Sequence, residues 1–293
     1  MRARSIMKGW VATESTGLLE FLVRKGYTRT KAKQLLKRGA VTVNELTVEG
    51  LAPALSPGNR VSISRSARAT AVIPPMGIRI IHEDDALLVI EKPAGLLAIA
   101  TEKERTKTAY YQLNEYLKRR NPEARERVFI VHRLDRDTSG LMLFAKNEAV
   151  KRKLQDQWKK VEKRYYAVVE GVPGKKEGEI TSHLRETSSL KVYSSKGSPE
   201  AKYAITKYRV LKAGRRNTLL DVVLETGRKN QIRVHLADIG HPVVGDMKYG
   251  AQTDPIRRLA LHAYVLSLRH PVKGKPLEFR SPLPDRLKSL IRD

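Results

Sequence analysis

The stretch HRLDRDTSGLMLFAKN, His132 to Asn147, places one aspartate, Asp135, between two arginines and directly before a turn. Its polar half, HRLDRDTSG, has the hydroxyl and glycine residues of a turn, and its apolar half, LMLFA, is typical of a short buried strand. Gly140 tolerates a positive φ, and the hydroxyls of Thr138 and Ser139 can bond to nearby backbone groups. The pattern therefore predicts that Asp135 lies at the mouth of a core strand.

The residues alone leave three interpretations of this acidic stretch open. A carboxylate held between fixed cations stays ionised, so Asp135 could act as a nucleophile or a base. Asp135 and Asp137 could instead be surface acids paired with Arg133 and Arg136. An Asp-x-Asp pair on an extended segment also presents both carboxylates on one face, as Mg²⁺ sites often require. The two flanking arginines, however, disfavour a divalent cation.

The stretch resembles the signature of the RluA-type family of RNA pseudouridine synthases, which is HRLD, two variable residues and TSG. The positions that match are His132, Arg133, Leu134, Asp135, Thr138, Ser139 and Gly140. The resemblance implies that Asp135 is the catalytic residue and that Arg133 fills the space of the extruded base. Asp137 falls in a variable position and inherits no role. We expect His132 to be structural, because the reaction needs an ionised carboxylate more than an imidazole.

The composition favours a nucleic-acid partner independently of this motif. The chain has 57 Lys and Arg against 31 Asp and Glu, which gives a net charge of +26, and a polyphosphate is the natural counterpart of such a surface. It has no cysteine, which excludes disulfides and thiolate metal sites, and its seven histidines show no metal-ligand spacing. There is no long apolar run and no signal-peptide segment. We therefore expect a cytoplasmic protein without membrane attachment, metal or cofactor.

Residues 1–65 are predicted to form a small unit of two helices, LLEFLVRKG and TRTKAKQLLKRGA, and two strands, AVTVN and NRVSIS. The second helix has an apolar side and a basic side without an acid, so one side can pack and the other can meet phosphate. A solvated surface helix is the alternative that composition leaves open. The basic residues expected to contact RNA are Arg29, Lys31, Lys33, Lys37 and Arg38.

This unit resembles the S4 RNA-binding domain. That domain places a basic helix before a GxVxVN strand, here residues 39–44, and ends with a PGD-like turn and strand, here residues 57–61. Asn59 replaces the aspartate of that turn, and Glu45 stands where glycine often follows the asparagine. Residues 66–76, with a Pro-Pro pair and no regular periodicity, are predicted to be a linker.

Three further segments of the region 77–293 bear on the same family. IRIIHEDDALLVIEKPAGLLAI predicts two strands and a Pro-Ala-Gly turn, and its EKPAGL part is similar to the family's NKPAGL segment. In VEKRYYAVVEG, Lys163 and Tyr165 match a K-x-Y pattern at the start of a predicted strand. They share a face of that strand, so a cation and an aromatic ring could enter one cleft. The resemblance implies that Tyr165 stacks on the target base, whereas a lone strand tyrosine could also be half-buried on a sheet surface.

The segment LETGRKNQIRVHLADIGHPVVGDMKYG predicts a strand, a glycine turn and a short helix that Gly240 closes. It resembles the family's TGR-x-x-QIRVHLA-x-x-GHPxxGD-x-x-YG block. The resemblance implies that Arg233 is the ion partner of the catalytic aspartate, although a phosphate contact is equally open from the residues alone. Lys229 and Asn230 stand where the best-known members carry Thr-His.

Together these segments predict a two-domain α+β protein, with a catalytic domain built on a mixed, mainly antiparallel sheet around a central cleft. The implied activity is isomerisation of specific uridines in structured RNA to pseudouridine, on ribosomal more than transfer RNA, by a monomer. Asp135 would attack the sugar or the base, or would abstract a sugar proton, and the sequence does not choose between these paths. A non-catalytic RNA-binding factor for ribosome assembly is the rival hypothesis, and a nuclease would instead show Mg²⁺-dependent cleavage.

Overall fold

The computed structural model describes residues 6–37, 40–44, 46–47, 54–64, 76–121, 123, 126–195 and 199–291. The chain divides into two compact units, one up to Ile73 and one from Pro74. Apart from Met76, the predicted linker 66–76 lies outside the described residues, as do Arg38, Gly39 and Glu45. In the described part of the chain, no helix is long and apolar enough to cross a membrane.

The described part of the first unit has two helices and six short strands. They are β1 (Ile6–Val11), β2 (Thr16–Gly17), α1 (Leu18–Arg24), α2 (Arg29–Lys37), β3 (Val41–Val43), β4 (Leu46–Thr47), β5 (Ala54–Leu55) and β6 (Arg60–Ser64). Four strands form an antiparallel sheet in the order β1-β6-β3-β4, and β2 pairs with β5. The predicted apolar side of the helices is buried in the core of this unit, through Phe21, Leu22, Ala32 and Leu36.

An asparagine after β3 fixes the turn of this small sheet. The backbone of Asn44 has a φ of 49°, in the left-handed region that asparagine tolerates better than most residues. Its amide donates to the carbonyl of Arg60 at 2.8 Å, and its side-chain Oδ1 accepts from the Arg60 amide, also at 2.8 Å. The asparagine of the VTVN segment therefore continues the pairing of β3 with β6 through its side chain.

Among the residues that the structure describes, the second unit holds eleven strands and four helices, joined in part by single 3-10 turns at Trp158–Lys160, Met247–Tyr249 and Ser289–Ile291. The elements are β7 (Arg79–Glu83), β8 (Leu87–Lys92), α3 (Ala109–Arg120), β9 (Phe129–Ile130), β10 (Ser139–Ala145), α4 (Glu148–Asp156), β11 (Glu162–Glu170), β12 (Glu177–Glu186), β13 (Val192–Ser195), β14 (Lys202–Ala213), β15 (Asn217–Leu224), α5 (Gln231–Asp238), β16 (Leu261–Arg269), β17 (Pro276–Arg280) and α6 (Asp285–Lys288).

These eleven strands form one sheet in the order β13-β12-β14-β15-β11-β16-β10-β8-β7, with β17 added to β16 and β9 added to β10. Among the described strands, β10 and β16 are the one parallel pair of this sheet. The α+β class with a mixed, mainly antiparallel sheet is therefore confirmed. All seven residues of β10 are buried, as the apolar run LMLFA predicts for a strand in the middle of a sheet.

The start of β10 requires a glycine. Gly140 has a φ of +115°, and a Cβ built on it would lie 2.1 Å from the carbonyl oxygen of Ala263 on the parallel neighbour β16. Only a residue without a side chain allows this close approach of the two backbones. The contact fixes where β10 begins, and hence where the preceding turn with Asp135 emerges from the sheet.

Candidate active site

Asp135 lies on the turn that leads into β10, and this turn is held at its backbone. The amide of Thr138 donates to the carbonyl of Asp135 at 3.2 Å, which closes the turn. The amide of Gly95, in the Pro-Ala-Gly turn after β8, donates to the carbonyl of Arg136 at 2.9 Å. The predicted position of Asp135 at the mouth of a buried strand therefore results from two turns that hold each other.

A fully buried lysine reinforces the junction of these turns. The ammonium of Lys92, at the end of β8, donates to the carbonyls of Pro93, Leu96 and Arg136 at 2.9, 2.7 and 2.9 Å. Burial lowers the pKa of Lys92 to about 7. An ammonium has three protons, and here each has a carbonyl acceptor, which offsets part of the cost of burying the charge.

A second network anchors the other end of the turn. The guanidinium of Arg258 donates to Oγ of Ser139 at 2.6 Å, so the hydroxyl proton of Ser139 is directed at Nδ1 of His262, 2.8 Å away. Nε2 of His262 in turn lies 2.9 Å from Oγ of Ser281. Burial lowers the pKa of His262 to about 4, so the imidazole is neutral near pH 7. The network ties the start of β10 to β16 and to the residue after β17.

His132 packs against the sheet on the other side of the turn. Its ring is stacked on Trp158 with centroids 4.5 Å apart, and its Nε2 accepts a hydrogen bond from the amide of Leu143 at 2.9 Å. Burial, and then the charge of Lys163, lowers the pKa of His132 to about 3. A neutral imidazole with one nitrogen used by the backbone supports the packing of β10.

Asp135 opens onto a cleft of about 160 Å³ that we call the first cleft. Its lining residues are Arg133, Leu134, Asp135, Thr138, Tyr165, Leu224, Gly227, Arg228, Lys229, Asn230, Gln231, Ile232, Arg233 and Leu261. The first cleft therefore brings together four residues singled out from three separate segments of the sequence: Arg133, Asp135, Tyr165 and Arg233. Tyr165 is 9% exposed, and burial, followed by the charge of Asp135, raises the pKa of its phenol. The phenol stays protonated and presents a neutral ring to the cleft.

Arg233, on α5, stands between two carboxylates. Its Nε and Nη2 donate to both carboxylate oxygens of Asp246 at 2.6 and 2.7 Å, whereas its Nη1 lies 3.7 Å from Oδ2 of Asp135. Burial alone would lower the pKa of Arg233, but the hydrogen bond and the charge of Asp246 raise it. Arg233 is therefore a fixed cation whose bidentate partner is Asp246, with one edge directed at Asp135.

Asn230 and Tyr249 hold this guanidinium from the side of Nη1. The backbone of Asn230 is left-handed, with a φ of 53°, and its Oδ1 accepts from Nη1 of Arg233 at 3.2 Å. Its side-chain amide donates to the hydroxyl of Tyr249 at 2.8 Å. The Tyr249 ring itself lies under the guanidinium, 4.8 Å from ring centroid to Cζ. Asn230, which stands where the best-known members carry histidine, thus supplies the acceptor for a hydrogen bond from Arg233.

Lys163 is not part of the first cleft. It shares the buried face of β11 with Tyr165, as alternation predicts, but it lies one residue pair further along, beside Trp158. Its ammonium is 3.4 Å from the carbonyl of Trp158 and 5.8 Å from that ring, and burial lowers its pKa. Lys163 therefore does not share the first cleft with Tyr165, because the turn after α4 covers this end of the strand, and its predicted contact with RNA stays a prediction.

The remaining predicted residues lie on exposed surfaces. Asp137 accepts from Nε and Nη2 of Arg136 at 3.0 and 3.2 Å and lines a different cleft from Asp135. In the first unit, Arg29, Lys31 and Lys33 are exposed on α2. The side chain of Lys37 and the whole of Arg38 lie outside the described residues, so their predicted contact with RNA stays a prediction.

Comparison with known proteins decides the family. A family model described as RNA pseudouridylate synthase matches residues 86–238, which include the turn with Asp135 and end with α5. The chain belongs to the RNA pseudouridine synthase family. The RluA-type resemblance is thereby confirmed, and the protein is an isomerase that acts on RNA.

Relatives of this synthase align along most of its length. An uncharacterized RNA pseudouridine synthase of Bacillus subtilis, YlyB, is 34% identical over 277 residues, which cover 91% of this chain and 89% of the relative. Ribosomal large subunit pseudouridine synthase D of Haemophilus ducreyi is 33% identical over 288 residues, which cover 90% and 86%. The solved structure of human RNA Pseudouridylate Synthase Domain Containing 4 is similar with a TM-score of 0.60 and 26% identity, covering 72% of this chain and 93% of that chain.

Three supporting residues of the synthase site were not singled out from the sequence. The signal that could have marked Lys92 is a lysine at the end of a mostly apolar strand, LLVIEK. Arg258 and His262 lie in RRLALHA, whose charged residue before a buried strand gives no indication of a link to Ser139. Such links depend on which strands are neighbours in the sheet, and a local sequence pattern does not predict that.

Proposed function

We propose that this synthase isomerises specific uridines of ribosomal RNA to pseudouridine, with Asp135 as the catalytic carboxylate. One observation carries the proposal: the carboxylate of Asp135 opens into the first cleft with the Tyr165 ring beside it and Arg233 at 3.7 Å. An ionised carboxylate, a flat ring and a fixed cation are the groups that a flipped pyrimidine and its sugar require.

Each of the cleft residues has a physical role in this proposal. Extruding a uridine from its stack costs a few kcal/mol, and stacking on the ring of Tyr165 offsets part of that cost. Arg133 is exposed at the rim, where its guanidinium can occupy the place that the base leaves. Arg233 keeps Asp135 charged after RNA covers the cleft, because a buried carboxylate without a cation would take up a proton.

The reaction is balanced without an added oxidant, reductant or hydrolytic water. The bond between the sugar and N1 of uracil breaks, the base rotates within the cleft, and a bond forms between the sugar and C5. The proton originally on C5 is then lost to solvent, and N1 takes up a proton, so the product is an isomer of uridine. Asp135 acts by adding to the sugar or the base, or by removing a sugar proton, and both paths need the carboxylate ionised. Preorganised charges around Asp135 stabilise the transition state.

Two observations support ribosomal RNA as the substrate. Relatives with about a third of their residues identical bear the name ribosomal large subunit pseudouridine synthase D. The first unit resembles an S4 domain, and the described part of α2 exposes Arg29, Lys31 and Lys33. A basic helix on a separate unit suits a large, structured RNA, whose backbone offers phosphates beyond the modified site.

Release of tritium from RNA labelled at uridine C5 tests the proposal. We expect the wild type to release label from ribosomal RNA, and Asp135→Asn to release none while it retains RNA binding. Asp156→Asn is the matched control, because it removes an exposed carboxylate at the end of α4 that lies outside the first cleft, and it should keep its turnover. Binding by the wild type without release from ribosomal or transfer RNA would leave the non-catalytic assembly factor as the function. Release by Asp135→Asn would remove Asp135 from the chemistry.

A further inference from the structure

A second, wider cleft of about 630 Å³ adjoins the first in the same unit. Arg233 and Asp246 line it on the side next to the first cleft, and Arg257, Arg258 and Arg286 line it further away. Because Arg233 borders both clefts, the two form neighbouring depressions separated by one ion pair. The roles assigned to Asp135, Tyr165 and Arg133 make no use of this second cleft.

Three arginines in the second cleft are not neutralised. Within the part of the chain that the structure describes, Arg257, Arg258 and Arg286 form no ion pair with a carboxylate. Arg258 is partly buried and donates only to Oγ of Ser139 and, at 3.1 Å, to the carbonyl of Leu259. Burial and then the charge of Arg286 lower the pKa of Arg258, and the charge of Asp137 acts in the opposite direction.

The acids of the second cleft are already engaged elsewhere. Asp137 pairs with Arg136, and Asp246 forms its two hydrogen bonds to Arg233. Oδ1 of Asp254 accepts from the backbone amide of Arg258 at 2.9 Å. Arg257 and Arg286 are exposed and Arg258 is partly buried, so the three guanidinium groups are open to an anionic ligand, which would offset their mutual repulsion.

The backbone segments around these arginines are in close contact. Arg257 has a φ of 52°, an unusual left-handed conformation for arginine. A Cβ on Gly245 would lie 2.3 Å from the carbonyl oxygen of Arg258, so the turn before Asp246 and the segment with Arg258 are in contact at their backbones. Strained, tightly packed segments of this kind are typical of ligand-binding positions.

We propose that the second cleft binds a backbone phosphodiester of the RNA strand next to the flipped uridine, with Arg257, Arg258 and Arg286 as its cations. This inference rests on the proposed function, since it places the phosphate beside the first cleft. A phosphodiester fits the chemistry because guanidinium groups bind phosphate oxygens in paired hydrogen bonds, and two or three arginines can share one anion.

The same geometry connects the phosphate to the catalytic turn. Arg258 donates to Ser139 at 2.6 Å, and Ser139 directly follows the turn from Asp135 to Thr138. A phosphate bound by Arg258 would therefore be linked to the start of β10 through the hydrogen bond from Arg258 to Ser139. Binding of the strand in the second cleft would place the sugar of the target nucleotide in register with the first cleft, because adjacent phosphates and sugars are covalently linked.

The first test measures how RNA affinity depends on salt. We expect the double variant Arg257→Gln/Arg286→Gln to bind a short oligouridylate more weakly and with a slope of log affinity against log salt that is flatter by about 1.4, the value for two lost contacts to single-stranded phosphate. Lys175→Gln/Lys212→Gln is the matched control, because it removes two exposed cations that line neither cleft. Thermal unfolding verifies that both double variants fold. Equal slopes for the two variants would overturn the proposal.

The second test places the phosphate along the strand. Single linkages around the target uridine, in the shortest ribosomal RNA fragment from which the wild type releases tritium, are replaced by neutral methylphosphonates. We expect one linkage next to the uridine at which the replacement weakens binding to the wild type but has little further effect on Arg257→Gln/Arg286→Gln. A loss that is equal for wild type and variant at every linkage would overturn the site.

The two tests separate this inference from the proposed function. If Asp135→Asn abolishes tritium release but the arginine variant behaves as the lysine control in salt and linkage experiments, the second cleft does not bind phosphate and the catalytic assignment stands. If no ribosomal or transfer RNA releases label, the oligouridylate salt slope still decides whether the second cleft binds phosphate.

Discussion

At the scale of single residues, the arrangement of charges around Asp135 differs from the simplest expectation. The family resemblance gave Arg233 as an ion partner of Asp135, and Arg233 does lie 3.7 Å from it, but the bidentate bonds go to Asp246. A guanidinium committed to another carboxylate keeps its place when Asp135 changes its charge during the reaction. The sequence contained both residues, but the distance between them depends on where the turn of Gly245 and Asp246 lies against α5.

Asn230 is expected to be a positioning residue for Arg233. Asn230→Gly removes the bonds to Arg233 and Tyr249 without straining a backbone with φ of 53°, so we expect kcat to fall about tenfold, near 1.4 kcal/mol, with KM little changed. Single-turnover and steady-state tritium release measure both constants. Asn230→His, which restores the residue of the best-known relatives, should recover part of the rate. A fall confined to KM would instead make Asn230 a binding residue.

His132 gives a pH dependence of stability. Its pKa is about 3 in the folded protein against 6.5 for an ordinary histidine, so the unfolded chain takes up the proton first as pH falls. The contribution of His132 is fully present above pH 6.5 and decreases as pH falls towards 3, by about 2 kcal/mol between pH 7 and pH 5. Urea unfolding measures this at both pH values. Between pH 7 and pH 5, the free energy of unfolding should fall by about 2 kcal/mol more in the wild type than in His132→Gln. Parallel profiles would mean that His132 titrates normally in the fold.

At the scale of elements, local patterns predicted which segments form strands and helices, and tertiary pairing decided the rest. The apolar run LMLFA became β10, although the strand begins two residues earlier, at Ser139, because Ser139 and Gly140 pair with β16. The helix QIRVHLAD ends before Gly240, which has the predicted positive φ of 80°. The parallel contact of β10 with β16, more than a hundred residues later in the chain, has no signal in either segment.

The glycine at the start of β10 should be irreplaceable for stability. We expect Gly140→Ala to lower the free energy of unfolding by about 3–5 kcal/mol, because a Cβ would meet the Ala263 carbonyl at 2.1 Å on a backbone with φ of +115°. Gly240→Ala is the matched control, with a positive φ but no atom within 4 Å of its Cβ, and should cost only about 1–2 kcal/mol. Urea denaturation measures both. Similar losses for the two variants would show that backbone conformation alone is responsible.

At the scale of the whole molecule, the net charge of +26 predicts a nucleic-acid partner independently of any motif, and the family confirms RNA as the substrate. The order of the motifs along the chain also predicted a site assembled from distant segments, and Arg133, Asp135, Tyr165 and Arg233 do line one cleft. Lys163 does not line this cleft, because alternation along a strand predicts which residues share a face but not what covers that face. The second cleft has no sequence motif, since its arginines come from the segment before β16 and from α6.

The predicted S4-like unit provides a test of how RNA contacts are divided along the chain. We expect removal of residues 1–65 to leave a folded catalytic unit, since each unit has a hydrophobic core of its own. That unit should bind RNA more weakly and with a smaller dependence on salt, because the basic face of α2 is predicted to supply phosphate contacts. Filter binding across a salt series, with circular dichroism to check folding, measures this. Unchanged affinity and slope would refute RNA contact by α2.

Lys92 allows the stability of the catalytic turn to be followed chemically. All three protons of its ammonium are bound to the carbonyls of Pro93, Leu96 and Arg136, and its side chain has no contact with solvent. Acylation requires the reagent to reach the amine, and the amine of Lys92 is fully buried, so this lysine should react only in molecules whose turns have come apart. Its rate of modification, read by mass spectrometry against exposed lysines such as Lys175, would report the opening of the junction behind Asp135 in the otherwise folded enzyme.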